Sequence, residues 1–232
     1  MILEGFILSL FAGLAITAGA WLASVNLFRS VWIREEFRHG ITAFGGGALI
    51  SAVAFVLIPD GAKNQTSVSV IFTFLAGGLA FMIFDRVLAS SKNKLAQFLA
   101  MMLDFIPEAI VLGAIIAGDY NKAVFISIVI AAQNLPEGYA AFTEMQKEYN
   151  KKKLLKLFLI VGISGPIYIL LGAKIFVNHP SVLGAMMTFC AGGILYLVFE
   201  DIAPNAVMKK HWLPPFGAIL GFTVGLIGYL YV

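Results

Sequence analysis

Two apolar stretches of the chain contain the polar sequences DFIPE and QNLPEG. In both, a polar residue lies three positions before a proline, and a glutamate follows that proline directly. Asp104 and Glu108 are four residues apart, as are Gln133 and Glu137, so on a helix each pair shares one face. Carboxylate and amide oxygens in this pattern could hold a cation or relay a proton.

These acidic residues lie near the middle of their apolar runs. An acidic residue at the centre of a transmembrane helix costs roughly 2.5–3.5 kcal/mol on the insertion scale. No Lys or Arg lies at a comparable depth in any apolar run. We therefore expect bound cations, protons or water in a cavity to stabilise the carboxyl groups of Asp104, Glu108 and Glu137. The structural alternative is a pair of kinked helices whose protonated acids bond to each other.

The two prolines support an open, polar environment. A proline inside a helix removes one backbone hydrogen bond and frees the carbonyl four residues earlier. Pro107 would free the carbonyl of Leu103, and Pro136 that of Ala132. Loosened backbone at membrane depth is tolerated where protein, water or an ion satisfies it.

The composition is that of a membrane protein. Of 232 residues, 60% are hydrophobic and 12% are charged, and the mean hydropathy is +0.91, whereas soluble domains carry about 25% charged residues. A two-residue alternation typical of membrane barrels is absent, so we expect an all-α integral membrane protein with one domain, 1–232. Eight transmembrane segments are predicted, at 5–27, 40–59, 67–90, 95–117, 122–144, 154–177, 181–203 and 213–232.

The basic residues predict the orientation of these segments. Thirteen of the 16 Lys and Arg residues lie in the connectors between segments 1 and 2, 3 and 4, 5 and 6, and 7 and 8, or in the segment ends beside them. The other side holds Lys63, Lys122 and Lys174. The positive-inside rule then places both termini outside. The expected location is the cell membrane (plasma or inner membrane), crossed several times.

The remaining sequence features have simpler explanations. The first segment has Glu4 and no preceding Lys or Arg, which favours a retained helix over a cleavable signal. Cys190 lies in an apolar run and is expected to be a small buried residue. The net charge of +3 follows from membrane topology, so no nucleic-acid partner is expected. The lipid bilayer is the expected surrounding, and the GGG patch at 45–47 suits helix packing within a protomer or in a homodimer.

Two stretches in segments 2 and 7 resemble each other. GGGALISAVAFVLIPDGA and AGGILYLVFEDIAPNA share a start of small residues, an apolar middle and an acidic residue near a proline. The predicted topology gives them opposite directions, as in the inverted repeats of secondary transporters. Chance similarity between glycine-rich helices is the equal alternative.

The polar pattern on successive segments resembles the Zrt/Irt-like, or ZIP, family of divalent-metal transporters. In that family the fourth helix typically carries His-Asn-x-Pro-Glu, and the fifth carries a related His/Gln-x-x-Pro-Glu. QNLPEG is close to the bacterial form of the fifth-helix motif. Weaker similarity comes from IPDGA, LAGGLAFMIFDR and GGILYLVFEDIAPNA. The resemblance implies an eight-helix bundle with both termini outside.

The resemblance also implies a metal site between the fourth and fifth segments. Its expected ligands are Asp104, Glu108, Gln133 and Glu137, with Asn134 beside them at the place of an auxiliary site. Glu200 would help line the cytoplasmic exit, or else is an interfacial acid solvated at a helix end.

The chain departs from the family pattern at several positions. Asp104 stands where the family usually has histidine, and Phe105 where it has asparagine. The sixth segment reads GISGPIYIL, without an acid, which argues against a second metal in a binuclear site. The three histidines, His39, His179 and His211, lie at segment ends or in loops. An oxygen-only site favours Mn²⁺ or Mg²⁺ over zinc, with Fe²⁺ between, although carboxylates also bind zinc.

The predicted function is transport of a divalent metal (zinc, iron or manganese) toward the cytoplasm, with the metal as substrate and no organic cofactor. The chain lacks a phosphate-binding GxxxxGK[ST] loop and the HExxH of zinc proteases, and it has only one deep Asp. We therefore do not expect an enzyme. Two alternatives are a proton-linked carrier of another small solute and a non-transporting ZIP relative that acts as a sensor or scaffold.

Overall fold

The computed structural model describes residues 2–25, 31–90, 96–116, 118–208 and 211–231. Within these ranges the chain is helical, with short turns and no strand. The α-helices in chain order are α1 (Ile2–Ser24), α2 (Val31–Ala52), α3 (Ile58–Ala62), α4 (Ser67–Ser90), α5 (Ala96–Ile116), α6 (Tyr120–Met145), α7 (Lys151–Lys174), α8 (Pro180–Leu197), α9 (Ala203–Ala206) and α10 (Leu213–Tyr231).

Two π-helical turns make longer continuous helices. Val53–Leu57 joins α2 to α3, and Val198–Ile202 joins α8 to α9. After each turn, a backbone N–H donates to the carbonyl five residues earlier. Each turn ends two residues before a proline, Pro59 or Pro204. Because proline has no N–H to continue the four-residue pattern, the wider turn accommodates it.

The π turns lie at the same distance from the proline in the two stretches with similar sequences. Their helices also have matching partners, since α2 packs on α10 and α8 packs on α4. In the same way, α1 packs on α6, and α7 packs on α5. The shared π turn and the matched packing favour an internal repeat over chance similarity.

Glycines allow these four helix pairs to approach closely, and the contacts are reciprocal. At each position an added Cβ would lie 1.8–2.3 Å from a carbonyl oxygen of the partner helix. No larger residue fits without separating the helices. The pairs are Gly47 and Gly221 (α2 with α10), Gly77 and Gly192 (α4 with α8), Gly19 and Gly138 (α1 with α6), and Gly113 and Gly172 (α5 with α7).

The long helices form two groups. Helices α1, α5, α6 and α7 pack on one another and are called the α6 group. Helices α2, α4, α8 and α10, with the short α3 and α9, are called the α2 group. The groups meet mainly where α2 packs on α6 and α5 packs on α8.

The protein is a multi-pass membrane protein. Six helical stretches of the described residues are long and apolar enough to cross a membrane: Leu3–Ser24, Glu35–Ala62, Ser67–Val87, Lys151–Lys174, Pro180–Ala206 and Leu213–Tyr231. Helices α5 and α6, which carry the two polar stretches, are not among the six. In α6 the central Gln133, Asn134 and Glu137 lower the hydropathy. Each of the eight predicted segments coincides with a helix, and the count of eight spans remains a prediction.

One predicted connector is largely helical. The sequence FRSVWIREEFRHG was expected to link segments 1 and 2, but α2 begins at Val31. Arg38 forms an ion pair with Glu35 at 2.6 Å, one turn apart, so charged residues continue the helix beyond its apolar part. Five of the basic residues used for the topology lie outside the described residues, namely Arg29, Lys92, Lys94, Lys209 and Lys210.

Candidate functional site

The polar residues of α5 and α6 meet where the two helices pack together. Asp104 and Glu108 are each 4% exposed, and Gln133 and Asn134 are fully buried. Glu137 is half-buried. The i and i+4 spacing predicted from the sequence is present, since both polar stretches are helical. The pairs on the two helices therefore face each other.

The side-chain amide of Gln133 bridges the acidic pair of α5. Its Nε2 donates to Asp104 Oδ2 at 3.4 Å and to Glu108 Oε1. The positive end of the amide dipole thus lies between two carboxyl groups, the position that a cation would favour. Gln133 occupies this position because it is four residues before Glu137 on the same face of α6.

The carboxyl groups of Asp104 in α5 and Glu137 in α6 lie close enough to interact across the two helices. Like charges repel at short range, so a shared proton or a bound cation would stabilise this pair of carboxyl groups.

Asn134 lies beside these residues on α6 but contacts a different helix. Its Nδ2 donates to the carbonyl oxygen of Ala12 in α1 at 2.9 Å. This contact anchors α1 against α6. The structure thus brings Asp104, Glu108, Gln133 and Glu137 together in one cluster between α5 and α6, with Asn134 as a neighbour turned toward α1.

Each of the five predicted site residues has one buried oxygen without a hydrogen-bond partner in the protein. Leaving a buried polar atom unpaired costs about 1–3 kcal/mol, more for a charged group, and native proteins contain few such atoms. Oxygens of this type are ligands of hard divalent cations. The five atoms are Asp104 Oδ1, Glu108 Oε2, Gln133 Oε1, Asn134 Oδ1 and Glu137 Oε2.

The site is not a preformed metal cage. Among the described residues, no group of three or more His, Cys, Asp and Glu side chains is arranged to hold a metal ion. The space between Asp104 and Glu108 is taken by the Gln133 amide nitrogen. A metal bound by all four side chains would need the amide to turn, so that its oxygen replaces its nitrogen.

A cavity of about 290 Å³ connects the site to one end of the bundle. Asp104 and Glu137 line its inner part, and Arg38, Glu144 and Lys147 line its outer part. Its walls come from α2 and α8–α9 on one side and from α5 and α6 on the other. The cavity therefore follows the boundary between the α2 group and the α6 group.

Pro136 lies on the cavity wall at the closest approach of α2 and α6. An added Cβ on Gly45 would lie 2.7 Å from Pro136 Cγ. Both Pro107 and Pro136 lie inside their helices, as expected. The proline ring thus fills the groove that a glycine leaves on α2, next to Glu137.

The acidic residue of α8–α9 that lines the cavity is Asp201, whereas the expected exit residue, Glu200, is exposed and does not line it. Asn205 Nδ2 donates to Asp201 Oδ1 at 2.7 Å, and both residues line the cavity. The π turn adds a residue at this point, which rotates the following side chains. Residue spacing along a regular α-helix does not reveal this rotation, so the sequence alone did not identify Asp201 as the residue that lines the cavity.

The free thiol of Cys190 is buried in α8, as predicted.

No model of a known protein family matches the chain, and no curated protein is significantly similar to it. The resemblance to the ZIP family therefore rests on the residues of α5 and α6 themselves.

Proposed function

We propose that the chain is a divalent-metal transporter of the ZIP type, which carries its ion between the α2 group and the α6 group. The observation that supports this most is the buried set of five unpartnered oxygens on α5 and α6. In the part of the chain that the structure describes, no Lys or Arg forms an ion pair with Asp104, Glu108 or Glu137. A bound divalent cation would offset most of the carboxylate charge and provide a partner for the free carboxylate oxygens.

The cavity supplies one half of a transport path. With eight spans and both termini outside, its mouth at Arg38 and Lys147 would face the cytoplasm. An ion released from Glu137 would then pass Asp201 and Asn205 on its way out. Access from the other side would require the two helix groups to move against each other.

Ion binding would rearrange Gln133 first. Its amide now donates to Asp104 and Glu108, and a bound ion would take over both carboxylates. Rotation of the amide would present Oε1, now without a partner, to the ion. Turning the amide would thus exchange the two hydrogen bonds of Gln133 for a site with four oxygen ligands.

The ligand chemistry sets the expected ion. Three carboxylates and one amide are all oxygen donors. His39 of α2 also lines the cavity, and its Nδ1 lies 2.7 Å from the carbonyl oxygen of Glu35. Oxygen ligands suit Mn²⁺ better than zinc, with Fe²⁺ between, while zinc still binds carboxylates. We propose Mn²⁺ as the first ion to test.

Uptake by proteoliposomes containing a trapped metal-sensitive dye tests the function. Glu108→Gln and Glu137→Gln keep the size of the side chain and remove one charge each. We expect each to reduce Mn²⁺ uptake at least tenfold, since a charge-assisted contact is worth about 1.5–3 kcal/mol. Glu148→Gln is the matched control, because Glu148 is exposed and is not among the residues that line the cavity. Wild-type uptake by both Glu108→Gln and Glu137→Gln would disprove the proposed path.

The approach of the Asp104 and Glu137 carboxyl groups favours one second candidate, a proton-linked carrier of another small solute. In that case the two carboxyl groups would act as a relay, and no metal would be needed. Proton flux into the same liposomes, measured with and without Mn²⁺, separates the two. Metal-independent proton flux that is lost in Glu137→Gln would favour the carrier.

A further inference from the structure

Asp60 and Lys122 form an ion pair at the end of the molecule opposite the cavity mouth. Along α2, Asp60 lies 11 residues beyond Leu49, the last cavity residue of that helix, or about 16 Å at 1.5 Å per residue. Along α6, Lys122 lies 14 residues before Pro136, or about 21 Å. The ion pair and the cavity therefore lie at opposite ends of the boundary between the two groups.

The ion pair connects the two groups. Lys122 Nζ in α6 lies 2.5 Å from Asp60 Oδ2 and 2.6 Å from Asp60 Oδ1 in α3. The exposed fractions are 25% for the Lys122 side chain and 13% for Asp60, so water screens this pair less than a surface pair. Asp119 fixes the lysine in place, because its Oδ1 accepts a hydrogen bond from the Lys122 backbone N–H at 3.0 Å.

An apolar layer lies between the ion pair and the buried carboxylates. Val56 of the α2 group packs in one buried cluster with Leu112, Ile126 and Ile130 of the α6 group. Val56 is 3% exposed. The boundary is thus open to a cavity in one half and closed by apolar contacts in the other, with the ion pair at the closed end.

We propose that the Asp60–Lys122 ion pair is a latch, which holds the α2 and α6 groups together at the closed end and must break before the site opens there. The latch rests on the proposed function in one respect, namely that transport requires the site to open at both ends. The cross-boundary contact itself is independent of which solute is carried.

A second lysine provides a matched control. Lys63 also bonds to Asp60, with Nζ 2.8 Å from Oδ1, but it belongs to the same helical end and does not reach the α6 group. The hydrogen bond to Asp60 raises the pKa of Lys63 above its ordinary value, so Lys63 is charged at neutral pH. Lys63→Met and Lys122→Met each remove one positive partner of Asp60, but only Lys122→Met removes the contact between the groups.

The single cysteine makes a labelling experiment simple. In a Cys190→Ala background, Val56→Cys reports opening of the apolar layer, and Ala140→Cys reports the cavity. The rate of reaction with a water-soluble maleimide is measured for each reporter in detergent. Adding Lys122→Met is expected to raise the Val56→Cys rate roughly tenfold by shifting the population toward the open state, without raising the Ala140→Cys rate. Lys63→Met is expected to change neither.

A charge exchange completes the test. Asp60→Lys with Lys122→Asp, in a Lys63→Met background, restores a pair of opposite sign and should return the Val56→Cys rate to its original value. Equal rates in Lys63→Met and Lys122→Met would overturn the latch, and so would faster labelling at both reporters, which indicates general loosening. Neither labelling rate depends on adding metal or on measuring transport. Failure of the latch can therefore be told apart from failure of the proposed function.

Discussion

The side-chain amide of Gln133 in α6 donates a hydrogen bond to the carboxyl group of Glu108 in α5, and both side chains are buried. This contact holds the two polar stretches together without a metal. It also keeps the amide nitrogen, and not the amide oxygen, toward the carboxylates.

Gln133→Glu should therefore lower the stability of the metal-free protein and make its stability depend more strongly on metal. The variant replaces a donor by a fourth carboxyl group, and the expected loss of stability without metal is about 1–3 kcal/mol. Mn²⁺ should recover more stability in this variant than in the wild type. Thermal unfolding in detergent with and without Mn²⁺ measures both, with Gln146→Glu at the end of α6 as control. An unchanged metal response would argue against Gln133 as a ligand.

Metal should stabilise the wild-type protein and a chelator should reverse the effect. A ligand that binds only the folded state adds about 2.7 kcal/mol at a concentration one hundred times its Kd. The rise in unfolding temperature should be absent in Glu108→Gln and present in Glu148→Gln. If Mn²⁺, Fe²⁺ and Zn²⁺ all leave the unfolding temperature of the wild type unchanged, the result would favour the non-transporting or proton-linked alternatives.

Asp104→His should move the ion preference toward zinc. The substitution replaces an oxygen ligand by an imidazole nitrogen, which suits zinc. Histidine is also usual at the matching position of the ZIP family, which the chain resembles in this motif. The ratio of zinc to Mn²⁺ affinity, measured by competition in the thermal assay, should rise at least several-fold. Glu148→His adds the same ring on the surface and should leave the ratio unchanged. A constant ratio in Asp104→His would place the ion elsewhere.

Gly47→Ala should separate α2 from α10. The added Cβ would lie 1.9 Å from the carbonyl oxygen of Ala218, and overpacking of this kind costs about 1–3 kcal/mol. Gly40→Ala is the control on the same helix, because no atom lies within 4 Å of its added Cβ; it should gain about 0.5–1 kcal/mol from reduced chain entropy. Equal unfolding temperatures for the two variants would contradict the close crossing.

Hydropathy alone located the helices, because burial in lipid demands long apolar runs and satisfied backbone hydrogen bonds. The predicted segment 67–90 coincides with α4, and 122–144 differs from α6 by two residues at the start and one at the end. The start of α2 was missed because a helix continues into water through ion pairs such as Glu35–Arg38, which hydropathy does not detect.

The shared face of each i and i+4 pair on α5 and α6 was also determined by the sequence, since helical geometry fixes it locally. The tertiary structure alone decided which of these side chains touch, that the cavity reaches Asp201 and not Glu200, and that Lys122 meets Asp60 across 62 positions. Local spacing cannot supply such contacts, because they depend on how two helix surfaces meet, and here glycines and π turns set that meeting.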